Sequence, residues 1–128
     1  MRVLLDTDAF LWWIAADRRL PARARKLIAD GRNELLFSAA SGWEIAVKAS
    51  LGRIQLPAPI DRFLSEQLSL NGIAALPIQM SHALGVHGLP FLHRDPFDRM
   101  LVVQAQMEKL GILTRDLQIS QYDVETLW

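Results

Sequence analysis

The 128-residue sequence contains no cysteine. A disulfide framework, a thiolate nucleophile and a Cys-ligated zinc are therefore excluded, which fits a reducing cytoplasm. Glycine (7) and proline (6) are too scarce for a collagenous or low-complexity chain. Net charge is lacking too, with 14 basic against 14 acidic residues. No global field draws the chain to nucleic acid or anionic membrane, so any such contact must be local. No apolar run approaches the ~20 residues of a membrane span, and the N-terminus opens into a candidate strand without a signal peptide. A soluble, cytoplasmic protein is expected. Against these absences, hydrophobic residues make up 51% and charged residues 22%. That composition suits one domain over residues 1–128, long enough to bury roughly two thirds of its unfolded surface.

The run Arg2-Val3-Leu4-Leu5-Asp6 reads as a fully buried strand of a parallel sheet that ends on a carboxylate. Ala9 to Ala16 is apolar all round and predicts a short buried helix. Trp12 and Trp13 point in different directions there, so either both are core or one serves an interface. Pro21 opens a second helix that Gly31 ends. Leu35–Ser38 is the second strand, and Ala39–Leu51 is a helix closed by Gly52. Ile60, Phe63, Leu64 and Leu68 have helical spacing, and Ile73–Ile78 forms strand three, cut short by Pro77. A short helix over Ser81–Val86 leads into a turn-rich loop, Gly88–Pro96. The longest helix then runs from Phe97 to Leu110, with Leu101, Val102, Ala105 and Met107 as its apolar stripe and Gly111 as its stop. Ile112–Thr114 is strand four, Asp116 starts a helical turn, and Val124–Trp128 supplies a fifth strand. The alternation of strand and helix predicts an α/β fold with a mostly parallel sheet.

Four acids stand where solvation alone would not put them. Asp6 leaves strand one and Asp116 lies two residues past strand four. Glu44 and Asp98 share helix faces with Ala40, Val47 and Leu51 and with Leu101, Val102 and Ala105 respectively. A buried carboxylate without a partner costs several kcal/mol or gives up its charge. Each has a bland reading: Asp6 and Asp116 as helix caps, Asp98 at N3 behind a cap at Asp95, and Ser41–Glu44 as a capping box. Their joint location at strand ends favours a bound cation, because converging carboxylates repel one another. An all-oxygen donor set suits Mg²⁺ or Mn²⁺. His82, His87 and His93 lack ligand spacing and are assigned to no metal.

The pieces LLDTDAFLWW, SAASGWEIAVKASLGRIQLP, HRDPFDRMLVVQAQ and ILTRD, in this order, resemble a PIN domain, specifically the toxin subunit of a VapBC-type toxin–antitoxin pair. Trp43-Glu44-Ile45 with Asp95-Pro96-Phe97-Asp98-Arg99 carries most of the specificity. The resemblance implies a three-layer α/β/α sandwich and a Mg²⁺-dependent endoribonuclease whose acidic metal site is Asp6, Glu44, Asp98 and Asp116. It implies Thr7, Ser38 and Thr114 as polar neighbours, and a cognate antitoxin and a homodimer or toxin–antitoxin hetero-oligomer as the assembly. Phe10, Trp12 and Trp13 are candidates for its interfaces. Asp8 departs from the family's frequent His.

On this reading Asp6 and Asp98 are the direct ligands, while Glu44 or Asp116 orients or deprotonates the attacking water. Arg94, Arg99 and Arg115, adjoining the acids in sequence, are candidates for holding RNA phosphates. The alternatives fall into two other classes, a different enzyme and a non-enzymatic binding module. A haloacid-dehalogenase-type phosphotransferase also starts with a strand and Asp-x-Asp, but Phe10 stands where Thr or Val is normal. A receiver-like module would need an Asp after strand three, where only Gln79 and Ser81 occur, and a catalytically silent PIN module would have lost one of the four acids.

Overall fold

A computed structural model describes residues 1–128. Five strands form one parallel sheet: β1 (Arg2–Leu5), β2 (Glu34–Ser38), β3 (Ile73–Leu76), β4 (Gly111–Leu113) and β5 (Thr126–Leu127), in the order β3-β2-β1-β4-β5. β1 is central, with Leu4 opposite both Leu36 and Ile112. Its apolar run is explained by burial on both faces, since alternate side chains enter different cores. Val3 and Leu5 join Leu35 and Phe37 in one cluster, while Leu4 joins Leu36 and Ile112 in the other.

Helices cover both faces. α1 (Thr7–Ile14), α2 (Ala22–Ala29) and α4 (Ile60–Leu70) pack on the first. α6 (Pro96–Glu108) and α7 (Leu117–Ser120) pack on the second, while α3 (Ala39–Ser50) contributes Ile45 to the first core and Ala40 to the other. α5 (Met80–Gly85) and a single 3₁₀ turn (Val86–Gly88) precede the loop into α6. The result is the expected α/β/α sandwich, and its sheet is wholly parallel.

Several local expectations change. β3 stops at Leu76, because Pro77 has no N–H for the ladder. α6 ends at Glu108 with Lys109 in the left-handed region (φ 57°), and Gly111 opens β4 instead of closing the helix. Met107 faces solvent, while Val103 joins the buried stripe. The fifth strand is only Thr126–Leu127. Phe10 is fully buried, 4.3 Å from the Phe37 ring, and Trp12 is core. Trp13 is half-buried and its Nε1 donates to Asn71 Oδ1 at 2.9 Å.

Candidate active site

Parallel strands all deliver their carboxyl ends to one edge of the sheet, and that edge collects the acids. Asp6 follows β1, Glu44 lies in α3 after β2, Asp98 in the first turn of α6, and Asp116 after β4. Glu44 and Asp98 are buried and Asp6 and Asp116 half-buried.

Asp6 occupies the N-cap position of α1 without capping it by its side chain. Its Oδ2 instead accepts from Thr114 Oγ1 at 2.7 Å. Burial raises the Asp6 pKa to about 6; the Thr114 hydrogen bond opposes the rise, and the nearby charges of Asp8 and Glu44 add to it. Asp98 goes further, to about 8, first through burial and then through repulsion by Asp95, Asp6, Asp116 and Glu44. Its Oδ2 contacts His93 Nε2 at 3.2 Å, and His93 Nδ1 lies 2.8 Å from the Tyr122 hydroxyl. The N-cap of α6 is Asp95, whose Oδ1 accepts from the N–H groups of Phe97 and Asp98, so Asp98 keeps its carboxylate for other work.

Glu44 is fully partnered. Thr7 Oγ1 donates to Oε1 at 2.7 Å, and Lys48 Nζ lies 2.6 Å from Oε2. This pairing raises the Lys48 pKa. The proposed capping box is absent: α3 starts earlier, with Ser38 Oγ accepting from Ala40 N, and Ser41 Oγ is buried without a partner. Ser38 also bonds Gln104, so of the three polar neighbours only Thr7 and Thr114 touch the acids. Asp116 spends Oδ1 on the N–H of Gln118, capping α7, while its own N–H donates to Thr114 Oγ1.

Asp6, Asp8 and Asp116 line a cleft of 130 Å³ together with Trp12, Arg115 and Trp128. Clefts of 590 and 600 Å³ elsewhere hold fewer of these acids, so size does not mark the site. The acids interact electrostatically, yet no three Asp, Glu or His side chains form a ready-made cation cage. The donor set nevertheless fits a hard cation: Mg²⁺ takes one or two carboxylates and completes its shell with water and phosphate oxygens. Asp6 and Asp98, raised first by burial and then by neighbouring acids, are the groups such an ion would relieve.

The structure divides the three arginines. Arg94 and Arg115 are exposed. Arg99 is buried, donating Nη1 to Pro90 O at 2.9 Å and to the Tyr122 hydroxyl at 3.2 Å, and it braces the loop before α6 from inside. It is not at the rim. Sequence reasoning missed His93 and Lys48 as partners of the acids. Lys48 had a signal, the i,i+4 spacing from Glu44, whereas the approach of His93 to Asp98 depends on the loop path.

A parallel five-stranded sandwich with acids gathered over its carboxyl edge has the architecture of PIN nucleases, and residues 3–125 match the PIN domain family. The chain belongs to that family. More particularly, it is of the VapC ribonuclease type: it is 31% identical over 121 residues to Ribonuclease VapC22 of Mycobacterium tuberculosis (strain ATCC 25618 / H37Rv), covering 94% of this chain and 91% of the relative. It is also 35% identical over 69 residues to Ribonuclease VapC16 of the same organism, a match spanning 54% of this chain and about half (48%) of that protein. Among solved structures, VapBC2 from Rickettsia felis bound to a promoter DNA fragment aligns with TM-score 0.69 at 13% identity, covering 99% of this chain and 98% of that one. FitAcB from Neisseria gonorrhoeae aligns at 0.61 and 20% identity, covering 98% and 96%. These two likenesses concern the fold.

Proposed function

We propose that this chain is the toxin of a VapBC-type module, an endoribonuclease dependent on Mg²⁺ or Mn²⁺ that works in the cytoplasm and is held in check by a cognate antitoxin. The observation that carries the proposal is the gathering of acids at the carboxyl edge of the sheet, where Asp98 is buried, Asp6 is half-buried, and burial and the acids around them raise the two to about 8 and about 6. Such a pair is held at a free-energy cost that a cation relieves. Asp6 and Asp98 would hold the ion, with Asp116 and Glu44 completing its acidic surroundings. When bound, the ion supplies Lewis-acid activation of water and offsets charge developing on the phosphodiester.

The chain's own groups have separable tasks in this reading. Asp116 Oδ2, unlike Oδ1, is not spent on the α7 cap and would orient the attacking water. Thr114 ties Asp6 to the start of the Asp116 segment, fixing their relative positions. Lys48 and Thr7 bind both oxygens of Glu44 and hold it in place. Arg94 and Arg115, both exposed, would meet RNA phosphates, and Arg115 lies at the rim of the acidic cleft. The paired names of the solved relatives, VapBC2 and FitAcB, support an antitoxin as partner, with a homodimer or toxin–antitoxin hetero-oligomer as the assembly.

The test compares cleavage of pooled cellular RNA by the parent and by Asp98→Asn, each with Mg²⁺, Mn²⁺ or chelator. Cleavage by the parent alone, abolished by chelation, is expected. Equal cleavage by both proteins would remove Asp98 from the mechanism. No cleavage by a parent that binds Mn²⁺ and RNA would favour a catalytically silent PIN module.

A further inference from the structure

Arg115 stands beside three carboxylates and pairs with none. It lines the small cleft with Asp6, Asp8 and Asp116, but enters none of the molecule's ion pairs. Its guanidinium instead lies over the Trp12 indole, 4.6 Å from the ring centroid. Trp12 is buried and is braced edge-on by Trp128, with ring centroids 5.9 Å apart. Arg19 also lies over the Trp12 ring, at 4.8 Å, but two of its nitrogens are already bound to Asp17 at 3.1 and 2.8 Å. One guanidinium over this ring is committed. The other is held in place with its donors unspent.

A guanidinium stacked on an aromatic face keeps its in-plane N–H fork available, and that fork matches two oxygens of a phosphate. A flexible cation this close to Asp116 and Asp8 would otherwise be drawn onto a carboxylate, where it could neither grip substrate nor leave the acids free. The indole supplies the competing attraction.

We propose that Trp12 and Arg115 form a phosphate-binding subsite for the RNA strand, in which Trp12 positions Arg115 to grip a backbone phosphate adjacent to the one cleaved. The proposal rests on the ribonuclease reading of the acids and names the substrate contact beside them. Arg19 is outside the subsite, its charge offset by Asp17.

The experiment measures binding of a fluorescent, mixed-sequence single-stranded RNA oligonucleotide in chelator, over a range of salt concentrations, for the full chain and its variants. Arg115→Gln is expected to bind about 5- to 10-fold more weakly and to lower the salt slope by about 0.7, the loss of one phosphate contact on a single strand. Arg115→Lys should keep the slope but lose affinity, because the indole still holds an ammonium off the carboxylates while the two-pronged fork is gone. Arg19→Gln should leave the slope unchanged. Trp12→Leu should behave as Arg115→Gln; if its folding fails, Trp12→Phe, which keeps a smaller ring, should fall between it and the parent. With Mg²⁺ and cleavable RNA, Arg115→Gln should raise KM by the binding factor and leave kcat in place.

An unchanged slope for Arg115→Gln, or an equal loss for Arg19→Gln, would overturn the subsite. A parent that binds with the full slope but never cleaves with Mg²⁺ overturns the ribonuclease reading and not the subsite. A parent that cleaves while Arg115→Gln retains its affinity overturns the subsite alone.

Discussion

Glu44 and Asp98 are near twins in sequence and opposites in the fold. Each follows an aromatic residue, Trp43 or Phe97, each lies on the apolar face of a helix, and each is buried. The two aromatic rings even meet edge to face, with centroids 4.8 Å apart. Glu44, however, has Lys48 one turn on and Thr7 across from it, filling both oxygens. At the corresponding position, one turn after Asp98, stands Val102, and the groups around Asp98 are four other acids and His93. Burial is nearly equal, so the difference between them lies in their partners. A satisfied buried carboxylate is a fixed charge in the framework; a crowded one is a reservoir of unfavourable potential that a cation can use.

The largest expected effect comes from removing the crowded acid. Asp98→Asn should lower RNA cleavage by about 10²- to 10³-fold, the scale of losing one preorganised electrostatic group. Its thermal stability should stay the same or rise, because a repelled carboxylate has gone. A loss of activity accompanied by a lower Tm would mean that Asp98 is mainly structural.

The pH dependence of stability follows from the same residue. Asp98 and Asp6 are raised from 3.8 to about 8 and about 6, so the folded state binds more protons than the unfolded one between these limits. Their contribution to stability is therefore favourable at low pH and is lost as pH rises, through about 6 for Asp6 and about 8 for Asp98. In chelator, Tm should fall across that window more steeply for the parent than for Asp98→Asn. Added Mg²⁺ should flatten the parent's curve, and a flat curve in chelator would refute the assigned crowding.

Breaking the satisfied twin should give a smaller change. Lys48→Met leaves Glu44 short of one partner and should cost about 1–2 kcal/mol, less than a fully buried pair because Lys48 is partly exposed. Pairing it with Glu44→Gln should recover much of the loss, and a double-mutant cycle with no coupling would show the ion pair to be idle. Smallest of all, Thr114→Val removes the donor to Asp6 and the acceptor for Asp116 N–H, at about 1 kcal/mol by denaturant unfolding. It should also raise the Asp6 pKa, because the Thr114 bond lowers it.

Strand positions were legible because a parallel sheet covered on both faces demands short, continuous apolar runs, as in Val3–Leu5 and Leu35–Phe37. The ends of elements were less so. Gly111 reads as a helix stop by residue type, but Lys109 adopts the left-handed turn first. Ser41 looks like a cap until Ser38 takes that position. The acids could be picked out because carboxylates on apolar stripes are anomalous; the roles of Thr7 and Thr114 followed from the family resemblance.

By itself the sequence determined the alternation of strands and helices and the four acids near strand ends, because these depend on local periodicity and on which residues resist burial. Only the tertiary structure decided that Arg99 is interior while Arg115 remains free, that His93 reaches Asp98, and that Glu44 has a cation against it while Asp98 has none. Those outcomes depend on which groups from distant segments share one low-dielectric space. Residue spacing along a single helix or strand does not contain that information.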